Sequence, residues 1–329
     1  MKIAVLGAGA WGTALAIAFA RAHDVRLWVW DPADLETLRS TRENRRFLPG
    51  FTLPDPVRIE GDAAATLDGA DLALVVVPAG ALRETLHRVA DASGAVPVVW
   101  ACKGFEPATA KLPHQVAGEV AGNGRRLGVL SGPSFALEVA KGLPTAVTLA
   151  CADDVYAAEV VRELNSQRLR LYHSGDVVGV EVGGAVKNVI AIAAGISDGL
   201  GFGHNARAAL ITRGLAEMTR LGVSLGGHQE TFLGLSGAGD LILTCTGDLS
   251  RNRRVGLALA AGKSLEAILA ELGQVAEGVH TAREVRALAR SQTVDMPITE
   301  TVCRMLFEGL EPRAAVEALL SREPKAEGV

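Results

Sequence analysis

KIAVLGAGAWG, residues Lys2–Gly12, is the stretch that decides how this chain folds. Its apolar run Lys2–Leu6 predicts a buried strand, and the alanine-rich segment after Gly12 predicts a helix. Between them lies the pattern G-x-G-x-x-G: Gly7 permits a tight turn, Gly9 lets the backbone approach a pyrophosphate, and Gly12 lets the helix pack close to the strand. The free N–H groups and the positive dipole end of that helix then face the phosphates. Because the motif lies between a strand and a helix, it predicts dinucleotide binding.

A second apolar strand, predicted at Val25–Trp30, ends at Asp31. An acidic residue about 20 residues beyond the glycines commonly binds the ribose 2′-hydroxyl of NAD, so Asp31 favours NAD. Arginines shortly downstream are suited to the 2′-phosphate of NADP, although a solvated helix end explains them equally well. They are Arg42, Arg45 and Arg46. The sequence therefore leaves both NAD and NADP open as the cofactor.

Strands continue to alternate with helices through the first half of the chain. They are predicted at Leu72–Val76, Val96–Trp100, Leu127–Leu130, Ala146–Ala150 and Leu169–His173. This alternation predicts a doubly wound parallel sheet of the Rossmann-like α/β class. Such a sheet binds ligands outside the carboxyl ends of its strands.

Two loops follow strands at that ligand-binding edge. Lys103 lies in the loop CKG, and Ser134 lies in the loop SGPSFA. A surface lysine is the simpler explanation of Lys103, but its position favours a contact with substrate or cofactor. Ser134 stands where a helix N-cap is expected.

After about Ser174 the strand pattern stops and only helical patterns follow. Helices are predicted at Asp176–Ser197, Ala206–Leu221, Arg253–Ala261, Ser264–Leu272, Thr281–Ser291, Ile298–Glu308 and Pro312–Leu320. We therefore predict a dinucleotide-binding domain over 1–180 and an all-helical substrate and catalytic domain over 181–329.

One lysine interrupts the most apolar of these helices. Lys187 stands in VGGAVKNVIAIAAG, where a cation is costly to bury unless it has partners or a task. At about 100° per residue, Ala191, Ala194 and Asp198 fall near the same helical stripe, and the two alanines leave room for a ligand. Burial lowers the pKa of a lysine, whereas Asp198 or Asp240 nearby raises it. We take Lys187 as the acid/base centre.

Three further polar clusters lie in the second half of the chain. Asp240 and Thr244 are four residues apart in LSGAGDLILTCT and share a face if that segment is helical. The cluster SRNRR, Ser250–Arg254, suits an anion because guanidinium groups bind phosphate oxygens well; a solvated basic turn is the commoner outcome. Glu277, in QVAEG, is either a functional residue or an acidic residue that only stabilises the N-terminus of a helix. Spacing alone does not decide between these readings.

The net charge, the cysteine content and the distribution of apolar residues argue against several classes of protein. A formal net charge of −4 argues against a binder that neutralises nucleic-acid phosphates. The four cysteines are widely spaced, without a C-x-x-C pair, which favours free thiols in a reducing cytoplasm and argues against a zinc site or another metal site. The N-terminus lacks the shape of a signal peptide, and no long uncharged apolar run predicts a membrane span. A cytoplasmic location is therefore predicted.

At this point the chain resembles the bacterial NAD(P)-dependent sn-glycerol-3-phosphate dehydrogenases. The matching segments are GAGAWGTALA, CKG, SGPSFA, VGGAVKNVIAIAAGISDGLGFGHNARAALITRGLAEM, GAGDLILTCT, SRNRR and GQVAEGV, in the same order across nearly the whole chain. The resemblance implies a Rossmann-like first domain, an all-helical second domain and a substrate bound between them. It also implies interconversion of glycerol 3-phosphate and dihydroxyacetone phosphate, which supplies phospholipid synthesis.

Position by position, the resemblance makes Lys187 the proton acceptor and a substrate contact. The other substrate contacts that it implies are Lys103, Gly132, Ser134, Asp240, Ser250, Arg251 and Asn252. Cofactor contacts, with the motif glycines Gly7, Gly9 and Gly12 included, are Ala10, Trp11, Trp30, Lys103, Ala136, Arg251, Val275 and Glu277. Two positions depart from common family variants: a serine often replaces Ala10, and a basic or imidazole side chain often replaces Trp30, which puts recognition of a 2′-phosphate in doubt.

Two other functions remain open from the sequence. One is another lysine-dependent two-domain dehydrogenase, of the 6-phosphogluconate or β-hydroxyacid type. The other is a non-catalytic module that senses dinucleotides and has no need of Lys187. Helix-rich second domains of this type often pair, so a homodimer also stays open.

Overall fold

The computed structural model describes residues 1–92, 95–121, 124–272 and 276–320. Contacts within the chain divide it into two units. Unit 1 comprises Met1–Glu106 and Lys111–Val177, and unit 2 comprises Pro107–Ala110 and Val178–Val329. The domain limits expected from the sequence, 1–180 and 181–329, stay a prediction.

Unit 1 is built on an eight-stranded sheet with the order β3-β2-β1-β4-β5-β6-β7-β8. Its strands are β1 (Lys2–Leu6), β2 (Asp24–Trp28), β3 (Arg58–Glu60), β4 (Leu72–Val75), β5 (Val98–Trp100), β6 (Leu127–Ser131), β7 (Thr145–Cys151) and β8 (Leu169–Ser174). The order steps outward from β1 in both directions, as in a doubly wound sheet. The predicted fold class is confirmed, and every predicted strand is present; the short edge strand β3 was not predicted.

Helices cover both faces of this sheet. They are α1 (Ala10–Phe19), α2 (Pro32–Thr41), α3 (Ala63–Leu67), α4 (Leu82–Ala92), α5 (Pro113–Val120), α6 (Ala136–Ala140) and α7 (Asp154–Leu164), with a 3₁₀ turn at Ala79–Ala81. Alternate residues of β1, Ile3 and Val5, pack into a core with side chains of α1 and α7. Ala4 and Leu6, which point the other way, are buried as well. Burial on both faces explains why β1 is apolar throughout and not alternating.

The sheet departs from the predicted all-parallel arrangement at β7. β7 pairs antiparallel with β6, whereas β8 pairs parallel with β7. A parallel connection needs a crossover that returns along the whole strand. The five-residue α6 rises only about 7.5 Å, about half the length of the five-residue β6. The connection therefore turns back at the same edge, and β7 runs in the opposite direction.

From Val178 onward, all the regular secondary structure in the described part of unit 2 is helical. Its helices are α8 (Val177–Gly199), α9 (Gly203–Ser224), α10 (Gln229–Leu233), α11 (Asp240–Thr246), α12 (Arg251–Ala260), α13 (Leu265–Leu272), α14 (Glu277–Ser291), α15 (Pro297–Phe307) and α16 (Pro312–Leu320), with a π-helical turn at Leu235–Gly239. All the helices predicted from apolar periodicity are confirmed, Pro312–Leu320 with the predicted ends and the others with shifted ends. The short helix α10 and the π turn were not predicted, because segments of five residues are too short to show a period.

Helix α8 is the buried core of unit 2. Every residue from Gly179 to Ser197 is buried. Among the described residues, α8 alone has the length and composition of a membrane span, and 89% of its most apolar window is buried inside the protein. Burial of this kind is also what the central helix of a water-soluble fold shows, so the composition of α8 is weak evidence for a membrane.

A buried glutamate on α9 holds the start of α15. The carboxylate of Glu217, only 1% exposed, accepts hydrogen bonds from Ile298 N at 2.6 Å and from Thr299 N at 3.2 Å. Burial raises the pKa of Glu217 to about 7, although the two backbone N–H groups act in the opposite direction. This carboxylate therefore supplies the cap that α15 lacks on its own preceding residue, Met296.

Candidate active site

The glycine loop of unit 1 leaves the start of α1 accessible. Gly7 has a φ of +118°, and a Cβ on Gly7 would lie 2.4 Å from the carbonyl oxygen of Val76. A Cβ on Gly12 would lie 1.9 Å from the carbonyl oxygen of Gly7, so the helix touches the loop at that point. At Gly9, the N-cap of α1, a Cβ would meet no described atom within 4 Å apart from those of its chain neighbours. Each glycine therefore has the environment that the motif predicts for it.

The backbone at this helix start fits the pyrophosphate of a dinucleotide. No side chain in the described part of the chain caps α1. The first N–H groups of a helix, here including those of Ala10 and Trp11, have no acceptor within the helix. Together with the helix dipole they bind phosphate oxygens. Because alanine has no hydroxyl, position 10 offers a phosphate only its backbone N–H.

The residues that follow β2 combine an exposed tryptophan with a capping aspartate. β2 ends at Trp28, earlier than the predicted Trp30, and Trp30 is 70% exposed. Asp31 is the N-cap of α2, where its Oδ1 accepts from Ala33 N at 2.8 Å. A structural cap therefore accounts for Asp31 without a ribose, and its role toward NAD stays a prediction.

The arginines beyond α2 each have a partner in the protein. Arg42, in a left-handed conformation at the end of α2, donates from Nη2 to the carbonyl oxygens of Val57, at 3.0 Å, and Pro54. Arg45 Nε lies 3.4 Å from a carboxylate oxygen of Glu43. Arg42 thus connects the end of α2 to the segment Pro54–Val57 and is not part of a solvated helix end. Binding of a 2′-phosphate by these arginines stays a prediction.

Arg46 is the arginine that lies beside the capping aspartate. Its Nη1 is 3.0 Å from Asp34 Oδ2 and 3.7 Å from Asp31 Oδ2. The same side chain is 58% exposed, so both pairs are weak and screened by salt. The positive and negative charges at this end of β2 therefore offset each other, and the cofactor preference stays undecided.

Two loops at the carboxyl ends of β5 and β6 meet at one carbonyl oxygen. Lys103 Nζ donates to Gly132 O at 3.1 Å, and Ser134 Oγ donates to the same oxygen at 2.9 Å. Lys103 and Ser134 are half-buried, and Gly132 has a φ of +138°. The N-cap of α6 is Phe135 and not Ser134. The expectation that Ser134 caps the helix is wrong, because its hydroxyl is directed to the Gly132 carbonyl.

Lys187 is buried in the middle of α8 and paired with a carboxylate. It is 6% exposed, and its Nζ donates to Oδ1 of Asp240, the first residue of α11, which is 1% exposed. Thr244 Oγ1 donates to the carbonyl oxygen of Asp240 at 2.6 Å and lies 3.4 Å from Asp240 Oδ1. A cation buried this deeply persists because the opposite charge is buried with it. Asp240 and Thr244 lie on one helical face, as their spacing predicts.

A chain of amide groups connects α8, α12 and α14 beside Lys187. Asn252 Nδ2 donates to Asn188 Oδ1 at 2.9 Å, and Gly278 N donates to Asn252 Oδ1 at 3.0 Å. Asn188 Nδ2 lies 3.5 Å from Glu277 Oε2. Glu277 is the first residue of α14, so its carboxylate lies at the positive end of that helix dipole and also belongs to this hydrogen-bonded series. Sequence spacing gave no sign of these contacts, since Asn188 and Asn252 are 64 residues apart.

The cluster SRNRR forms the first turn of α12. Ser250 is the N-cap, and its Oγ accepts from Arg253 N at 3.2 Å. Arg251 and Arg254 are exposed, whereas the Arg253 side chain is 11% exposed and pairs with Asp198. The turn contains no acidic residue, so it presents guanidinium groups at the positive end of the helix dipole. That combination binds a phosphate dianion well.

The structure brings the predicted residues into two groups. In unit 1 they gather at the start of α1, at the end of β2 and around the Gly132 carbonyl, with Ala136 as the first residue of α6. In unit 2 they gather around Lys187 and the start of α12. Asp198 does not serve Lys187 as an alternative to Asp240; it accepts from Arg207 and Arg253. Val275 lies outside the described residues.

Comparisons with known proteins identify the family to which both halves of the chain are similar. The family model described as the NAD-dependent glycerol-3-phosphate dehydrogenase N-terminus matches residues 2–157, and the C-terminal model of the same name matches residues 176–317. A glycerol-3-phosphate dehydrogenase (NAD(P)+) of Nitrosospira multiformis is 60% identical over 99% of both chains. The enzyme of that name from Thiobacillus denitrificans is 59% identical over 99% of this chain and 100% of its own.

A solved structure extends the similarity to three dimensions. The crystal structure of glycerol-3-phosphate dehydrogenase from Coxiella burnetii is 44% identical, with a TM-score of 0.94 over 98% of this chain and 99% of its own. Matches at this level cover the nucleotide-binding sheet and the helical unit alike. The resemblance stated from the sequence is confirmed: the chain belongs to the NAD-dependent glycerol-3-phosphate dehydrogenase family.

Proposed function

We propose that this chain is an NAD(P)-dependent sn-glycerol-3-phosphate dehydrogenase, which interconverts dihydroxyacetone phosphate and sn-glycerol 3-phosphate. The observation that carries the proposal is the buried pair of Lys187 and Asp240 in a chain of this family. A dinucleotide sensor has no use for a buried ammonium group. A dehydrogenase for 6-phosphogluconate or another β-hydroxyacid is disfavoured because both family models that match the chain are those of the glycerol-3-phosphate enzymes.

The cofactor is assigned to the residues around the glycine loop. When bound, a nicotinamide cofactor supplies or accepts the hydride. Gly7, Gly9 and Gly12 shape the loop, and the first backbone N–H groups of α1 hold the phosphates. The remaining proposed cofactor contacts are Ala10, Trp11, Trp30, Lys103, Ala136, Arg251, Val275 and Glu277.

Lys187 is proposed to move the proton at the C2 oxygen of the substrate. In the reductive direction its ammonium group polarises the ketone and donates a proton to the forming alkoxide. In the oxidative direction the neutral amine accepts the hydroxyl proton. Asp240 fixes the lysine in place and balances its charge in the interior. Thr244, held by the backbone of Asp240, limits the directions in which that carboxylate can turn.

The start of α12 is proposed to hold the phosphate of the substrate. Arg251 supplies an exposed guanidinium fork, and Asn252 is fixed by Asn188 and Gly278. Orientation of a small substrate by such fixed groups accounts for a large share of the rate increase that an enzyme achieves. Lys103, Gly132, Ser134 and Ser250 complete the proposed substrate contacts.

An absorbance assay at the NADH and NADPH band tests the function directly. Adding dihydroxyacetone phosphate to the protein with reduced cofactor is expected to give a loss of absorbance. Adding 6-phosphogluconate with oxidised cofactor is expected to give no gain of absorbance. Tight binding of NADH without turnover of any substrate would support the sensor instead. Running both cofactors side by side also measures the preference that the residues after β2 leave open.

The proposal also covers the metabolic role of the enzyme, its location, its oligomeric state and its domain limits. Glycerol 3-phosphate made by this reaction supplies glycerophospholipid synthesis, and the enzyme acts in the cytoplasm. A homodimer is the oligomeric state that we propose to test first, by sedimentation of the purified protein. The spans 1–180 and 181–329 are proposed as its dinucleotide-binding and substrate domains.

A further inference from the structure

A largely buried ion-pair cluster lies at the end of α8. A single carboxylate oxygen, Asp198 Oδ2, accepts from Arg253 Nε at 2.9 Å, from Arg253 Nη2 at 2.8 Å and from Arg207 Nη1 at 3.0 Å. The side chains of Asp198 and Arg253 are each 11% exposed. Charge-assisted bonds of this kind, at two nitrogens of one guanidinium, fix the orientation of that group as well as its position.

Arg253 lies inside the turn that is proposed to bind the substrate phosphate. Its backbone N–H is capped by Ser250, and it directly follows Arg251 and Asn252. A guanidinium in the first turn of a helix is repelled by the positive end of the helix dipole. Asp198 offsets that repulsion at Arg253, which keeps the turn intact.

The backbones of α8 and α12 are in direct contact next to this ion pair. A Cβ on Gly195 would lie 2.0 Å from Arg253 O, and a Cβ on Gly256 would lie 2.1 Å from Ile192 O. Two helices this close have one tight register, and the bonds from Arg253 to Asp198 join α12 to α8 beside that contact.

We propose that Asp198 is a positioning residue for substrate phosphate binding, which acts through Arg253 and makes no contact with the substrate. The inference rests on the proposed function, since it names a residue that prepares the phosphate site of that reaction. It assigns to Asp198 the role of holding the first turn of α12, with Arg251 and Asn252, in the geometry that receives the phosphate.

The variant Asp198→Asn separates positioning from simple electrostatics. Removing a negative charge near an anion site lowers KM if only Coulomb attraction matters. Positioning predicts the opposite: KM for dihydroxyacetone phosphate rises about tenfold or more, because charge-assisted bonds are lost. We expect kcat at saturating substrate and the Kd of NADH, measured by fluorescence, to stay close to the wild-type values. Calorimetric titration with glycerol 3-phosphate in the presence of oxidised cofactor is expected to show the same weakening.

The chain offers a matched control at the other side of the same guanidinium. Asp248 Oδ1 lies 2.9 Å from Arg253 Nη1, but its side chain is 97% exposed. Asp248→Asn removes the same charge from the same partner, and exposed pairs contribute little. We expect its KM to match the wild type. Equal effects of the two variants, or an unchanged or lower KM in Asp198→Asn, would overturn the proposal.

A second variant covers the case in which Asp198→Asn does not fold. Arg253→Lys keeps the positive charge and loses the planar fork. It is expected to raise KM for dihydroxyacetone phosphate with kcat preserved, by less than Asp198→Asn; an unchanged KM contradicts the proposal. If the wild-type protein does not turn over dihydroxyacetone phosphate at all, the proposed function fails; if the wild type is active and these variants match it, only the role of Asp198 fails.

Discussion

Unit 1 and unit 2 offer their ligands different kinds of groups. At the glycine loop of unit 1 the groups are backbone N–H donors, and Gly7 and Gly12 determine where the backbone runs. In unit 2 the groups are buried charges, and Lys187 and Asp240 come together from positions 53 residues apart. The proposed cofactor site is thus encoded in a few consecutive residues. The proposed proton-transfer site depends on side chains that only the finished fold assembles.

The largest effect is expected from the buried charge of unit 2. Lys187→Met should lower kcat about 10²–10⁴-fold, the range that a positioned acid/base group contributes, while the Kd of NADH changes little. Steady-state kinetics with dihydroxyacetone phosphate and a fluorescence titration with NADH measure the two quantities. Lys263→Met, which removes a lysine in an exposed pair with Glu271, is the control and should leave kcat unchanged. Normal turnover by Lys187→Met would remove Lys187 from the mechanism.

A smaller effect is expected where unit 2 faces solvent. Arg251→Ala should raise KM for dihydroxyacetone phosphate about 10–100-fold, the cost of losing one charge-assisted contact to a phosphate. Arg254→Ala removes an exposed arginine from the same turn and should have less than a tenth of that effect on KM. If both variants change KM equally, the general positive charge of the turn binds the phosphate and no specific contact with Arg251 exists.

In unit 1, two alanine substitutions should separate ligand binding from folding. Gly9→Ala points a methyl group into space that the protein leaves open, so the melting temperature should hold while the Kd of NADH rises about tenfold. Gly12→Ala drives a Cβ against Gly7 O and should lower the melting temperature by about 4–10 °C. Equal loss of cofactor affinity and melting temperature in both variants would show that the loop is only structural.

The smallest effect concerns a buried charge outside the site. Burial raises the pKa of Glu217 from its ordinary 4.5 to about 7. The stability that this shift contributes is fully present below about pH 4.5 and is lost as the pH rises through about 7. Glu217→Gln, which has no charge to bury, should escape that loss. Its melting temperature relative to the wild type should rise by a few degrees between pH 5 and pH 8; a difference independent of pH would contradict the prediction.

The sequence predicted best what depends on neighbouring residues. The strand, loop and helix around Gly7–Gly12 follow from local geometry, and α8 follows from a long, mostly apolar run that contains a single lysine, Lys187. Contacts between residues that are far apart in the sequence could not be predicted in this way. Asp198 and Asp240 were equal candidates beside Lys187, because a helical stripe shows which residues share a face and not which distant helix packs on it. The reversed direction of β7 could not be predicted for a similar reason. The direction in which a strand pairs depends on whether the connection before it is long enough to return along the whole preceding strand.

That reversal has a practical consequence for labelling the protein. Because β7 runs against β1–β6, its carboxyl end lies at the edge of the sheet away from the glycine loop, and the chain turns there at Ala152, which is exposed. A cysteine introduced at Ala152 would carry a dye on this far edge. The four natural cysteines are all buried, so the dye would attach selectively. Such a dye could follow the folding of the sheet without occupying the end where nucleotide binds.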